Sequence, residues 1–582
     1  MTTLIRRYWL LIPAVFLLSI LLLYTRFVNL GWGLPYPFHP DERNIAWAIM
    51  KLTPQQFFKP DFYAYGQFTL YLAYIIVELS KLLYRLPPEI TSEEATLALR
   101  AISALSSCLT VFISSKLIWL LLNQTYKHLS AKKKIGYVIL STLVFICLPV
   151  AIQFAHFGTT ESLLMLLYIM LVYISAKVYA HKMSAKEYYL FGSIIIGISI
   201  ATKISAFLYV LLPVFVFFTI IKPHLQDIKV KEYFFTVLRF SITVGYISFI
   251  FSPYNLIAFM EFLGSMHYES DVGLGKALVF YTRQFFMTAP VMYQIDHVLP
   301  YALTWMVFIL SVAGFLFLPR NKYIDVLRVA LLVVFIPNAF MYTKWTRFLA
   351  PAYPVMSIFA ILAFIALAER LYQLVRYFRS LRLLVHAGLF IILLCMITPG
   401  IAYLSVYANP IVHYTASEWI YKNIPSGSVI LSETANVIDL PITPPGVYPP
   451  AVNYNYISFN SYDVDADPNL KRSFKEYINS ADFIFVPSRR VFYNHTCERN
   501  GYPFVKPDPA RCAKLMAAYP TLNEYYYDLF KGNLPFKEVA RFTSFPEINI
   551  GGHIVYTSPD EDAEETWTVF DHPVIRIYKR IK

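Results

Sequence analysis

Residues 39–43 read His39-Pro40-Asp41-Glu42-Arg43, a charged knot directly after the first long apolar run. Two neighbouring carboxylates in such a place can supply a base. A carboxylate positioned on an acceptor hydroxyl takes its proton in the transition state, which is worth about 10²–10⁴ in rate. Glu161, Lys203 and Arg347 also stand at the ends of apolar runs, and His156 shares a short turn with Glu161. Lysine and arginine can neutralise an oxygen that gains negative charge as a bond breaks, and losing one such preorganised stabiliser costs roughly 3–4 kcal/mol. Taken singly, each of these charges is explained by a side chain that snorkels from a span end to the headgroups. Taken together, the three carboxylates and two cations describe a site that accepts a proton at one point and steadies a leaving anion at another.

The elements that must hold them are membrane helices. The chain has 582 residues, 57% of them hydrophobic and 15% charged. Apolar runs of roughly 20 residues, the length that crosses a hydrocarbon core, recur to about residue 404. The first, Tyr8 to about Phe27, follows Arg6-Arg7 and lacks a small-residue cleavage site, so it reads as an uncleaved span. The net charge of +13 would suggest nucleic acid in a soluble protein. Here Lys and Arg fall mostly in short loops between spans, where the positive-inside rule places them, and no nucleic-acid partner is expected.

Loop charge orders the crossings. Arg6-Arg7 start inside, so the Asp41-Glu42 loop lies outside, and the basic loop with Lys127 and Lys132–Lys134 makes Leu97 to Leu122 the return span. Gly66 to Tyr84 then has no crossing to make; Glu78 and Lys81, one turn apart, suit the surface better than the bilayer centre. It reads, with Ile45 to Lys51, as helix lying on the outer interface. Later runs alternate: 135–154, 159–180, two spans within 188–221 that bend outside at Lys203, and 233–251. Inner loops carry Lys182 and Lys186, then Lys222, Lys229 and Lys231. A long outer loop, about 253–297, holds Gly264, Gly273 and Gly275 as hinges. Spans at 298–318, 325–342, 348–367 and 383–404 complete a count of about eleven. The expected fold is a polytopic α-helical membrane protein: residues 1–405 form the membrane domain, with interfacial helices over about 41–84, and 406–582 form an extracytoplasmic α/β domain.

In that second part, Thr415 to Asn423 reads as a helix, and Val429–Leu431, Phe483–Val486, Val539–Phe542 and Ile575–Tyr578 read as short strands. No nucleophile elbow, phosphate loop or metal signature is visible there. Of five cysteines, Cys108, Cys147 and Cys395 lie in apolar runs as packing residues. Cys497 and Cys512 can pair only if their compartment is oxidising, which leaves their state open. Asn494-His495-Thr496 matches a glycosylation sequon by pattern alone.

Asp41, Glu42, Glu161, Lys203 and Arg347 thus share one face. A lipid-linked sugar carries its phosphate at that headgroup level, and its transfer needs a base for the acceptor and cations for the phosphate. The same residues resemble the GT-C superfamily of polyprenyl-phosphate-sugar glycosyltransferases, most nearly glycosyltransferase family 39 in its bacterial form, with its protein O-mannosyltransferases and aminoarabinose transferases. Phe38-His39-Pro40-Asp41-Glu42 resembles that family's acidic motif, and Tyr65-Gly66 with Leu70-Tyr71-Leu72 its interfacial helix. His156 to Ser162 stands where a second acidic residue occurs. Thr202-Lys203-Ile204-Ser205-Ala206 is similar to its Lys-x-Ser-Ala turn, and Arg347 to Pro354 to its Arg-x-Leu-x-Pro-x-Tyr-Pro span start. Glu564 to Pro573 resembles the outer domain of bacterial members.

The resemblance implies an inverting glycosyltransferase, a hexosyl- or pentosyltransferase, at the outer face of the cytoplasmic membrane. Its donor would be a polyprenyl-phosphate sugar and its acceptor a hydroxyl of protein, lipid or glycan. Asp41 would be the base, with Glu42 supporting it or orienting the acceptor, and Lys203 and Arg347 on the donor phosphate. Glu161 would complete an acidic pocket, the one place a divalent metal cation could enter. His39, Arg43, Tyr65 and His156 are further candidates from the same motifs, although His156 stands where relatives carry arginine. The competing reading is a transporter or flippase of lipid-linked glycans. Against it stand the lack of an internal repeat and a charge cluster at the edge rather than the midplane.

Overall fold

The computed structural model describes residues 11–221, 230–375, 379–434, 438–498 and 508–581. Arg6, Arg7, Lys222, Lys229 and Arg376, which the topology reading uses, lie outside the described residues.

After α1 (Leu11–Phe27), α2 (Pro40–Met50) begins where His39 caps it: Nδ1 accepts from the Glu42 amide at 3.5 Å, and Pro40 supplies a first helical residue that needs no amide partner. Next come α3 (Phe68–Tyr84) and the long α4 (Ser92–Thr125), started by a reciprocal Thr91–Glu94 capping box. A break at Cys147-Leu148, with Pro149 opening the second piece, bends α5 (Ala131–Ile146) from α6 (Pro149–His156) by 52°. The helices α7 (Glu161–Tyr179) and α8 (Ala185–Thr202) are joined by a turn in which Ser184 and Glu187 form another capping box. Lys203 breaks α8 with extended backbone; a 3₁₀ turn, Ile204–Val210, leads into α9 (Leu211–Ile221), and α10 (Val230–Phe251) follows.

Among the described residues, six helical stretches could cross a membrane by length and composition: Ser92–Thr125, Glu161–Tyr179, Phe234–Phe251, Lys322–Phe340, Ala352–Leu374 and Ser380–Ala408. The bent pair α5–α6 would make a seventh, and Ile12–Phe27, Ile204–Thr219 and Trp305–Phe317 are shorter apolar helices. Length and composition alone therefore do not reach about eleven spans, although the remaining runs are helical too.

The stretch expected as a long outer loop is mostly helix. It contains Tyr254–Ile257, α11 (Phe259–Leu274), a 3₁₀ turn at Phe280–Phe285 and a short helix at Met292–His297. Gly264 and Gly273 lie inside α11 and are not hinges; Gly275 ends that helix at φ 77°, the left-handed position that glycine takes without strain. Partners far away in sequence order this segment. The Gln284 amide donates to Asn494 Oδ1 at 2.9 Å, and Arg511 Nε donates to the Phe286 carbonyl at 2.9 Å. The membrane part closes with α12 (Trp305–Phe317), α13 (Lys322–Phe340), a 3₁₀ turn at Thr346–Leu349, α14 (Ala352–Leu374) and α15 (Arg379–Tyr403).

Beyond α16 (Val412–Asn423) come β1 (Val429–Glu433), β2 (Asn455–Phe459), α17 (Pro468–Ser480), β3 (Phe483–Val486), α18 (Arg490–His495), α19 (Pro509–Ala518) and α20 (Pro520–Lys531). They are followed by β4 (Phe536–Phe542), the hairpin β5 (Glu547–Ile550) and β6 (His553–Thr557), and β7 (Ile575–Arg580). The main sheet runs β2-β1-β3-β7-β4, parallel across its first three strands and antiparallel where β7 joins β3 and β4. All four short apolar runs read as strands are found in it. Cys497 and Cys512 are joined in a disulfide. Asn494 is fully buried and hydrogen-bonded through both side-chain polar atoms, so the sequon is closed to modification in the fold.

One buried cluster ties the last ten or so residues of the Glu564–Pro573 stretch to the membrane helices. Asp571 accepts from Gln153 Nε2 (3.2 Å), Tyr407 (2.8 Å) and Tyr403 (3.4 Å), and its other oxygen pairs with His572 Nδ1 at 2.6 Å. His572 Nε2 meets Asp560 at 2.9 Å. Burial alone would lower the imidazole's pKa, but the two carboxylates overcome it and raise it to about 10. A folded-state pKa above the unfolded value stabilises fully below about 6.5 and is lost as pH rises to about 10. The thermal-stability gap between the parent and His572→Gln is therefore expected to narrow across that window. A gap that stays constant or widens on raising pH would show that His572 is not held charged.

Candidate active site

The site is assembled where the ends of several helices meet α11 and the C-terminal part. Gly66 sets one contact. Its amide donates to the Thr202 carbonyl at 3.1 Å, and a Cβ there would fall 2.0 Å from the Ala201 carbonyl oxygen, so only glycine lets the two backbones touch. That approach lays the Tyr65 ring under Lys203, whose Nζ sits 5.1 Å from the ring centroid and 5.5 Å from that of Phe348. Tyr65 also donates its hydroxyl to Asp41 Oδ2 at 3.2 Å. Burial pushes the phenol well above its ordinary pKa, which keeps it a donor.

Asp41, the second residue of α2, forms an ion pair with Arg347 from the turn before α14. The Arg347 guanidinium lies 4.8 Å from the Trp345 ring centroid. Burial lowers its pKa to about 10, which leaves it a cation at neutral pH. Asp41, Lys203 and Arg347, from three distant stretches, line one cavity of about 750 Å³. Arg43 and Tyr65 line it as well, with the Arg43 guanidinium over Trp47.

Glu161 does not reach the main cavity. It opens α7 one layer back, almost wholly buried, and its carboxylate meets Lys203 Nζ at 3.4 Å beside a small void of about 20 Å³. It holds the lysine's position and charge. Glu42 has a different place from the one expected. It is 2% exposed and absent from the cavity wall; both oxygens accept from Arg100 at 2.7 Å, and Oε1 also accepts the Gly158 amide at 2.6 Å. Its carboxylate is consumed in packing α2 against α4 and the turn before α7, so it is not placed to orient an acceptor. His39 is equally interior: it caps α2, packs its ring on Phe157 and Phe570, and is held neutral, chiefly by burial and then by the nearby arginines. His156 is buried between the carbonyls of Ile152 and Val28 and stacks on Tyr407 at 3.8 Å, away from the cavity.

The cavity also contains residues that the sequence did not single out. Glu269, on α11, adds a second carboxylate to the wall; burial raises its pKa and Lys203 opposes the shift. Arg490 comes from the C-terminal part, 4% exposed, paired with Glu565 at 3.0 Å and flanked by Phe280 and Phe570. Arg100 supports the site from behind. None of the three carries a local signal: Glu269 lies in the stretch read as loop, Arg490 in a short helix, and Arg100 inside the N-terminal turns of a span. Apolar side chains line the cavity too, among them Leu208, Phe262, Met266, Val334 and Met341. Asp41 and Glu161 are each engaged by a cation, and among the described residues no group of three His, Cys, Asp or Glu side chains could hold a metal ion. The residues present do not fit a divalent cation bound between them.

No protein-family model matches the chain, and no curated protein matches it. Among solved structures it is similar to the apo oligosaccharyltransferase of Archaeoglobus fulgidus at 11% identity, over 98% of this chain and 89% of that one, with a TM-score of 0.48. The same archaeal enzyme, AglB, with an inhibitory peptide and dolichol-phosphate, matches at 11% identity over 99% and 89%, TM-score 0.47. ArnT from Cupriavidus metallidurans bound to undecaprenyl phosphate matches at 11% identity over 83% and 94%, TM-score 0.46. Likeness at this level says nothing by itself about activity.

Proposed function

We propose that this protein is an inverting glycosyltransferase that moves a sugar from a polyprenyl-phosphate donor to an acceptor hydroxyl at the outer face of the cytoplasmic membrane. One observation carries the reading: a carboxylate and two cations from distant stretches, Asp41, Lys203 and Arg347, line one cavity together with many apolar side chains. A lipid phosphate needs that combination, with charge for its head and hydrocarbon beside it. The motif resemblance supports the same chemistry. The Cys497–Cys512 bond supports placing the C-terminal part in an oxidising compartment.

Before the donor binds, Asp41 is tied to Arg347 and is a poor base, because a neighbouring cation favours its charged form. The donor phosphate competes for Arg347 and Lys203 and frees the carboxylate. Asp41 then takes the proton of the acceptor hydroxyl. The acceptor oxygen bonds to the anomeric carbon from the face opposite the phosphate, the carbon–oxygen bond to phosphate breaks, and its electron pair leaves on the lipid phosphate. Lys203 and Arg347 offset that charge. The acceptor, whether protein, lipid or glycan, enters past Glu269 and Arg490.

Donor binding is the direct check. Protein in nanodiscs should bind undecaprenyl phosphate, and Lys203→Ala should weaken it roughly tenfold or more, the effect of one charge-assisted hydrogen bond. Unchanged affinity would remove the lysine from the phosphate site. Failure of the parent to bind any polyprenyl phosphate, or to turn over any sugar-charged form, would overturn the assignment.

A further inference from the structure

The hairpin β5–β6 stands apart from the five-stranded sheet and packs on a membrane helix instead. At its base, the Glu547 amide donates to Ser405 Oγ at 3.0 Å, immediately past the end of α15. From there β5 packs against α15 itself. Its far end carries Ile550, and the return strand carries Ile554 and Val555, exposed at 64%, 59% and 60%. Gly551 and Gly552, both at positive φ, make the tight reversal. Three aliphatic side chains at the end of a short two-stranded ribbon are costly in water, and none of the described residues covers them.

The neighbouring surface of α15 has the same character. Ile391, Leu394 and Ile401 are exposed there, on a helix that by length and composition can cross a bilayer. Exposed aliphatic side chains are therefore found both on the span and on the hairpin that packs against it. His553 is the one ionisable group at the tip, and it is exposed. A soluble protein partner is the other occupant such a patch could take. One feature favours lipid: β5 packs on α15, a helix long and apolar enough to cross a bilayer.

We propose that the β5–β6 hairpin dips into the interfacial layer of the bilayer and acts as a membrane anchor for the C-terminal part. Ile550, Ile554 and Val555 contact acyl chains, and the flanking backbone stays at headgroup level. The anchor lies in the same chain segment that leads through Asp560–Phe570 to the cavity wall. It thereby steadies the part of the protein that delivers Arg490, Thr566 and Phe570 to the site. This inference does not depend on the reaction assigned above.

The test places a bimane label on Ile554→Cys in the full-length chain, with Cys108 and Cys395 replaced by serine, reconstituted in phosphatidylcholine nanodiscs. A label at Lys475→Cys, on the exposed face of α17, is the control. Brominated phosphatidylcholine is expected to quench most of the emission at position 554 and none at 475. Aqueous iodide should show the reverse order. Iodide quenching at 554 equal to that at 475 would overturn the proposal, since the tip would then stand in water. Shielding from both quenchers would also overturn it, because a protein surface rather than lipid would then cover the patch.

Discussion

Asp41→Asn is expected to lower sugar transfer by about 10²–10⁴, the contribution of a positioned base, while leaving the protein folded and able to bind donor. The fold should tolerate it because Asp41 is partly exposed to the cavity and keeps near-isosteric contact with Tyr65 and Arg347. Donor affinity should hold or rise, because the amide no longer competes with the phosphate for Arg347. This split separates a base from a phosphate ligand: Arg347→Ala should lose donor binding and turnover together, whereas Asp41→Asn should lose turnover alone. The measurement is release of undecaprenyl phosphate from a sugar-charged donor, alongside a binding titration with undecaprenyl phosphate. Full turnover in Asp41→Asn would move the base to Glu269, the other carboxylate of the cavity, whose pKa burial raises against the opposing pull of Lys203.

How far the sequence exposed this site can be argued residue by residue. Asp41, Lys203 and Arg347 were legible because an ionised group at the end of an apolar run is costly enough to need a reason, and because loop charge set them on one face. The four core strands were legible from periodicity and composition in the same way. Of the two roles expected of Glu42, the one on the acceptor fails because adjacency in sequence is not adjacency in space. On an α-helix neighbours point about 100° apart, so when α2 presents Asp41 to the cavity it must turn Glu42 into the protein. Glu269 and the order of residues 253–297 were not legible. That segment is held by Asn494, Glu564 and Arg511, more than two hundred residues away, and no local pattern announces such partners. Arg490 escaped for the same reason: its role comes from where the sheet sets a short helix against the membrane part.

Arg100→Met is expected to cost about 3–5 kcal/mol of stability, the effect of stripping one partner from a buried ion pair. Glu42 would be left as a charge without a counterion, with only the Gly158 amide donating to it. The guanidinium does more than pair. It also donates to the carbonyls of Leu30 (2.9 Å) and Trp32 (2.7 Å) and lies 4.5 Å from the Trp32 ring centroid, so one side chain joins α4 to the segment between α1 and α2. Against a total stability of roughly 5–15 kcal/mol, the loss should appear as a lower melting temperature in detergent and a lower yield. The double variant Arg100→Met/Glu42→Leu should recover much of it, because removing both charges ends the desolvation cost that a lone one bears. A catalytic Glu42 predicts the opposite pattern. Arg100→Met would then melt like the parent and lose turnover, and the double variant would stay dead however stable it became. The fold favours the first outcome, because the Glu42–Arg100 pair fixes the rotation of α2, and that rotation is what aims Asp41 at the cavity.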